Sequence, residues 1–202
     1  MPKTPAQGLL DVVISSSVGP LLKADGYRKA GHTFRKTQPT CVFVVNVQAS
    51  QSSSADWLKF TVNLGAFYPE LNSVLNRGGW ASPSASGPTE AHCHVRERLG
   101  HLMPSQRDVW WELQVGSAPP LAVCTEVMEA FRDYGLPWLR TMSDLDAARK
   151  SVERKGEIIC AAAFAILEGR RDEAQRLIET FLADRPDAIG IRAWARQLGL
   201  MS

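Results

Sequence analysis

One stretch in the middle of the chain constrains the fold more than any other. Residues 41–48 read Cys-Val-Phe-Val-Val-Asn-Val-Gln, and residues 57–67 read Trp-Leu-Lys-Phe-Thr-Val-Asn-Leu-Gly-Ala-Phe. Both runs are rich in β-branched and aromatic residues alternating with period two, and the loop between them, Ser50-Gln51-Ser52-Ser53-Ser54, is turn-prone. Successive side chains of a strand point to opposite faces. Leu58, Phe60, Val62 and Leu64 therefore share one side, and Trp57, Lys59, Thr61 and Asn63 the other. In the first strand Phe43, Val45 and Val47 form an apolar row opposite Val42, Val44, Asn46 and Gln48. A parallel sheet buried on both faces would not carry Lys59 and two asparagines at mid-strand. The hairpin predicts an antiparallel sheet covered on one side only.

The flanking segments supply the cover. Residues 5–25 read as a helix with Leu9, Val12, Val13, Leu21 and Leu22 on one face, Pro20 as a kink and Gly26 as its C′ residue. Residues 27–37 predict a short strand pair around Gly31. After the hairpin, residues 69–91 are loop material with at most one helical turn at Leu71, Val74 and Leu75; Asn76-Arg77-Gly78-Gly79 is part of that loop. Residues 92–99 and 108–114 alternate as strands. Ser117 with Pro119 and Pro120 opens a helix striped by Leu121, Cys124, Val127 and Phe131, which Gly135 and Pro137 stop.

From Ser143 onward strand signals vanish. Ser143 to Asp146 resembles a capping box, 157–167 is an almost wholly apolar helix, 172–183 is amphipathic, and a last helix carries Ile191, Trp194, Ala195 and Leu198. The expected fold class is α+β: an antiparallel sheet with helices on one face, followed by an all-helical C-terminal region. The expected division is an α+β domain over residues 1–142 and a helical hairpin plus capping helix over 143–202.

The totals exclude little. Among 202 residues, 23 Lys and Arg stand against 21 Asp and Glu, and 45% are apolar. That suffices for a core, and the charge balance points to no nucleic-acid partner by itself. Cys41, Cys93, Cys124 and Cys160 are widely spaced without a Cys-x-x-Cys pair, which predicts free thiols in a reducing cytoplasm. Asp11 interrupts the apolar run 9–22, so it is not read as a signal peptide, and no stretch approaches a membrane span.

Several segments resemble a known bacterial family. Leu22 to Gly26-Tyr27, Val47-Gln48-Ala49-Ser50, Lys59-Phe60-Thr61-Val62-Asn63-Leu64-Gly65, Cys93-His94-Val95-Arg96-Glu97-Arg98-Leu99-Gly100 and Trp110-Trp111-Glu112 are similar, in collinear order over residues 9–135, to domain of unknown function 4304. The resemblance implies an α+β domain and no activity. A toxin-immunity setting is an association of such small domains, not a reading of these residues. Gly169, Ala174, Ile178 and Pro186, with Ala161, Ala162 and Ala165, resemble a single tetratricopeptide-like helical hairpin over residues 157–199.

Catalytic constellations are thin. His92, Cys93, His94 and His101 are zinc-type ligands, but adjacent strand residues face opposite ways and two histidines on one face do not close a site. No metal and no cofactor is expected. No Gly-x-Ser-x-Gly and no phosphate-cradling glycine loop occurs. What alternation does collect is a polar side opposite the apolar rows, carrying Arg35, Lys59, Asn63, His94, Arg96 and Arg98 and bordered by Trp57 and Trp110. Guanidinium groups bind carboxylates in bidentate fashion, and exposed tryptophan adds contact area. The expected function is a non-catalytic protein-binding module, regulatory or of toxin-immunity type, whose basic open sheet face meets an acidic protein surface. Near-neutral total charge favours protein over nucleic acid. The alternative is a hydrolase-like or nucleic-acid-processing enzyme using the same face.

Overall fold

The structure is a computed structural model that describes residues 3–76, 82–117 and 120–201. The loop residues Arg77, Gly78 and Gly79 and the helix-opening Pro119 lie outside the described residues. The expected hairpin is present as β3 (Val42–Ala49) and β4 (Trp57–Phe67). Ser50 N–H donates to Lys59 O at 2.8 Å and Ser54 N–H to Trp57 O at 2.7 Å, closing the loop.

The other strands build outward from this pair. β1 (Arg28–Ala30) pairs with β2 (Thr33–Thr37), and β2 lies beside β3. On its other side β4 takes both β5 (Val95–Arg98) and β6 (Trp111–Gln114). The result is a six-stranded antiparallel sheet with an all-helical C-terminal region after it. β6 sets Leu58 opposite Leu113 and Phe60 opposite Trp111. The Phe60 and Trp111 rings stack at 5.6 Å.

Contacts gather the chain into two compact units that interleave in sequence. One comprises Met1–Thr37, Phe43–Gly65 and Arg96–Arg140; the other comprises Gln38–Val42, Ala66–Val95 and Thr141–Ser202.

In the first unit the predicted N-terminal helix is split into α1 (Pro5–Ser16) and α2 (Val18–Ala24). Thr4 and Gln7 form a reciprocal capping box at its start. The break follows from Pro20, which lacks an N–H to bond one turn back. Ser17 Oγ donates to Val13 O at 2.6 Å, and Gly19 sits where a Cβ would lie 2.6 Å from Ile14 O. Gly26, at φ +83°, ends α2 as expected. Leu10, Val13, Ile14 and Leu22 are buried, as are Phe43, Val45, Leu58, Phe60 and Val62.

Three expectations are corrected. The strand expected over 92–99 is shorter: Glu90–His92 is a 3₁₀ turn and Leu99–Leu102 is a helical turn, α4. Gly100 lets α4 approach the 107–109 backbone, where a Cβ would fall 2.4 Å from Arg107 O. Helix α5 (Leu121–Ala130) is capped at Pro120 without a side-chain bond, not by Ser117. Gly135 and Pro137 do not stop it. A π turn over Phe131–Gly135, in which Leu136 N–H reaches Phe131 O, widens the helix and lets it continue as α6 (Leu136–Thr141) through the proline. Gly135 is required there, since a Cβ would sit 2.8 Å from the Phe131 ring.

In the second unit α3 (Pro69–Asn76) joins four C-terminal helices: α7 (Leu145–Arg154), α8 (Ile158–Leu167), α9 (Arg171–Asp184) and α10 (Ile189–Gln197). α7 is capped by Asp144, whose carboxylate accepts from Asp146 N–H, not by the Ser143 box. Ala161, Ala162 and Ala165 of α8 and Ala174 and Ile178 of α9 are fully buried. Tyr68 packs edge-on against Phe164 at 5.0 Å and donates to Met142 O at 2.6 Å. Trp194 Nε1 donates to Val74 O. Arg149 is buried among Asp146, Glu153, Glu168 and Glu173, which offset its charge.

Candidate functional site

Of the residues collected by alternation, Lys59, Arg98 and Trp110 are brought together in the first unit. β4 turns Lys59 away from the core, opposite Glu112 in the ladder. Trp110 immediately precedes β6 and is half-buried. Lys59 Nζ lies 5.5 Å and Arg98 Cζ 5.3 Å from the centre of its ring, so two cations rest on one indole. Asp108 ties the group together: it pairs with Arg98 and accepts from Trp110 Nε1 at 3.0 Å. Burial pushes the Asp108 carboxyl up, but the Arg98 and Trp110 bonds outweigh it and hold it below the ordinary value of 3.8. Trp57 Nε1 donates to Glu112 Oε2 at 3.4 Å, giving the same face a second indole–carboxylate pair.

Two carboxylates, Asp108 and Glu112, thus stand beside the cations of this face. Glu112 was legible as a polar residue opposite the buried Trp111. Asp108 was not, because nothing in its local pattern places it beside Arg98.

Arg96 is exposed on β5, two residues from Arg98 and on the same side of that strand, outside the Trp110 contact group. The remaining predicted site residues fall elsewhere. Arg35 is half-buried on β2, opposite Arg28 and separated from β4 by β3. Asn63 is not on an open surface. It is 4% exposed, and its amide donates to Gln48 Oε1 at 2.7 Å. The adjacent Thr61 is also buried, its hydroxyl bonded to Val109 O at 3.0 Å, so the segment before β6 covers the far side of β4 there.

His94 departs furthest from the open-face expectation. It belongs to the second unit, is 4% exposed, stacks on Phe67 at 5.1 Å and accepts the Tyr68 N–H at Nδ1. Burial lowers its pKa to about 4, so it is a neutral core histidine and no part of a basic surface.

The zinc-type residues do not converge. His92 bonds Thr89 and His101 bonds Glu97, and among the described residues no group of three or more His, Cys, Asp or Glu could hold a metal ion. All four cysteines are free and buried. Burial pushes the Cys41 thiol up to about 11 and Cys160 to about 12, far from reactive thiolates.

An antiparallel sheet, helices against it and an all-helical C-terminal region define an α+β protein whose charged and aromatic groups lie on a sheet face. The family model described as Domain of unknown function (DUF4304) matches residues 18–141, and the chain belongs to that family. Helices α7–α10 lie beyond the match. No curated protein and no solved structure matches the chain. No helix among the described residues is long and apolar enough to cross a membrane.

Proposed function

We propose that the chain is a non-catalytic protein-binding module and that the Trp110 face is its contact surface. One observation carries the reading: an indole outside the core holds Lys59 and Arg98 against its ring, with Asp108 fixing both the indole and the guanidinium. Such an arrangement pre-orders two long side chains whose mobility would otherwise oppose binding. Tryptophan and arginine are also the side chains that most often dominate interface energies.

The partner this face suits is an acidic protein surface. Its carboxylates would take over Arg98 from Asp108 and reach Lys59 and the exposed Arg96. Regulation or neutralisation of such a partner, in the manner of an immunity protein, is the corresponding role, in a reducing cytoplasm where the four thiols stay free.

The test is capture of partners from native lysate on the full chain, with Arg96→Glu/Arg98→Glu and Trp110→Ala beside it. A specific partner should be lost roughly tenfold or more in both variants while their melting curves stay close to the parent's. Partners that survive the charge reversal with unchanged salt sensitivity would exclude this face.

A further inference from the structure

The strand beside that face has an outer edge with its own chemistry. Ladder parity fixes which way its main chain points. Lys59 O accepts from Ser50 N–H, on the β3 side, so Leu58 and Phe60 turn their main-chain groups toward β6. Val115 N–H donates to Asp56 O, continuing the same alternation on β6. Trp111 and Leu113 therefore bond β4, while the main-chain groups of Glu112 and Gln114 point away from it. β4 is the only strand paired with β6 among the described residues. Gln114 O is taken by Ser117 N–H at 3.3 Å. That leaves the Glu112 N–H, the Glu112 C=O and the Gln114 N–H directed outward along one edge.

This edge borders a cleft of about 520 Å³ in the first unit, lined by Pro5 and Leu9 of α1, Glu112 and Gln114 of β6, and Ala122 and Val123 of α5. The walls on both sides of the edge are apolar. Among the described lining residues Glu112 is the one charged side chain, and it is exposed. Exposed edges of this kind pair with any chain that offers a complementary strand.

We propose that the β6 edge binds an extended peptide segment of a partner protein, which adds to the sheet as a further strand. Main-chain bonds to Glu112 and Gln114 hold the segment in register. Its alternate side chains are apolar and enter the cleft against Leu9 and Val123, and a Lys or Arg on the opposite register pairs with Glu112. Strand addition uses main-chain bonds for affinity and alternate pockets for specificity, so the sequence it selects has period two. The site shares Glu112 with the Trp110 face, but its outward main-chain groups and its cleft do not depend on Trp110.

The experiment screens a phage-displayed library of random short peptides against the immobilised full chain. It then follows amide hydrogen exchange with and without the synthetic form of an enriched peptide. The expected result is peptides alternating apolar and polar residues with a basic residue on the polar register, and slowed exchange at Glu112 and Gln114 in the complex. Gln114→Pro removes an outward donor that the ladder does not use and should weaken binding roughly tenfold or more. Glu112→Lys should abolish the basic preference. Peptides with helical spacing, unchanged exchange at Glu112 and Gln114, or no enrichment would overturn the proposal. So would a peptide lost on Trp110→Ala and retained on Gln114→Pro, because the Trp110 face would then hold it. If Gln114→Pro melts early, exchange on the unaltered chain decides.

Discussion

Acid should weaken this protein well above the pH at which its carboxylates protonate, and His94 is the reason. An unfolded histidine titrates near 6.5, whereas buried His94 titrates near 4. The folded pKa lies below the unfolded one, so the unfolded state binds the proton more readily. The favourable contribution of the neutral ring is complete above about pH 6.5 and is lost as pH falls toward 4. At about 1.4 kcal/mol per unit, the shift is worth roughly 3 kcal/mol across that window. Geometry gives the same sign independently. Nδ1 accepts the Tyr68 N–H at 3.1 Å, so a proton placed on Nδ1 would face another hydrogen and break the bond. Asp11 and Asp108 are held below 3.8 and lose their contributions only as pH falls below that value, so they do not contaminate the window. The assay is urea unfolding followed by circular dichroism at several pH values between 7 and 4, with His94→Asn beside the parent. The Asn oxygen can take over as acceptor near the Nδ1 position and cannot titrate. The variant should be weaker at pH 7 for want of the Phe67 stack, yet flat across the window where the parent loses about 3 kcal/mol. Parallel loss of stability in both proteins would refute the reasoning.

Three further outcomes follow from the packing. Phe60→Ala should cost about 3–5 kcal/mol and Lys59→Ala under about 1, with Asn63→Ala between them because it removes a buried side chain and its bond to Gln48; equilibrium unfolding ranks the three. Arg149→Ala should cost about 1–3 kcal/mol, since it removes the buried cation shared by four carboxylates while Arg170 still pairs Glu168 and Glu173, and a melting temperature within a degree or two of the parent would contradict that. The division at residue 142 is tested by a 1–142 fragment. Tyr68 packs on Phe164 and α3 on α8 within the second unit, so the fragment should bind a hydrophobic dye and melt broadly. A fragment melting as sharply as the full chain would favour an independent N-terminal domain.

Legibility in the sequence tracked the range of the interactions involved. The β3–β4 hairpin, the Gly26 terminus and the helices of the C-terminal region were readable, because strand alternation, a left-handed glycine and a 3.6-residue stripe are written in adjacent residues. The candidate site was readable only as far as Lys59, Arg98 and Trp110 being polar-side residues. Alternation names a side of a strand and says nothing of what covers it. Asn63 and Thr61 were assigned to an open face for that reason, and the neighbours that close over them, Gln48 and the carbonyl of Val109, come from 15 and 48 residues away.

The sequence by itself determined the fold class, the hairpin and the apolar rows, since each depends on periodicities that any pairing partner must respect. Tertiary structure alone decided the rest. It buried His94 beside Tyr68 and Phe67, set Asp108 against Arg98, and carried α5 through Gly135 and Pro137 by a π turn shaped around Phe131 and Leu99. Desolvation and charge pairing depend on distances between residues far apart in the chain, and those distances exist only once the chain has closed on itself.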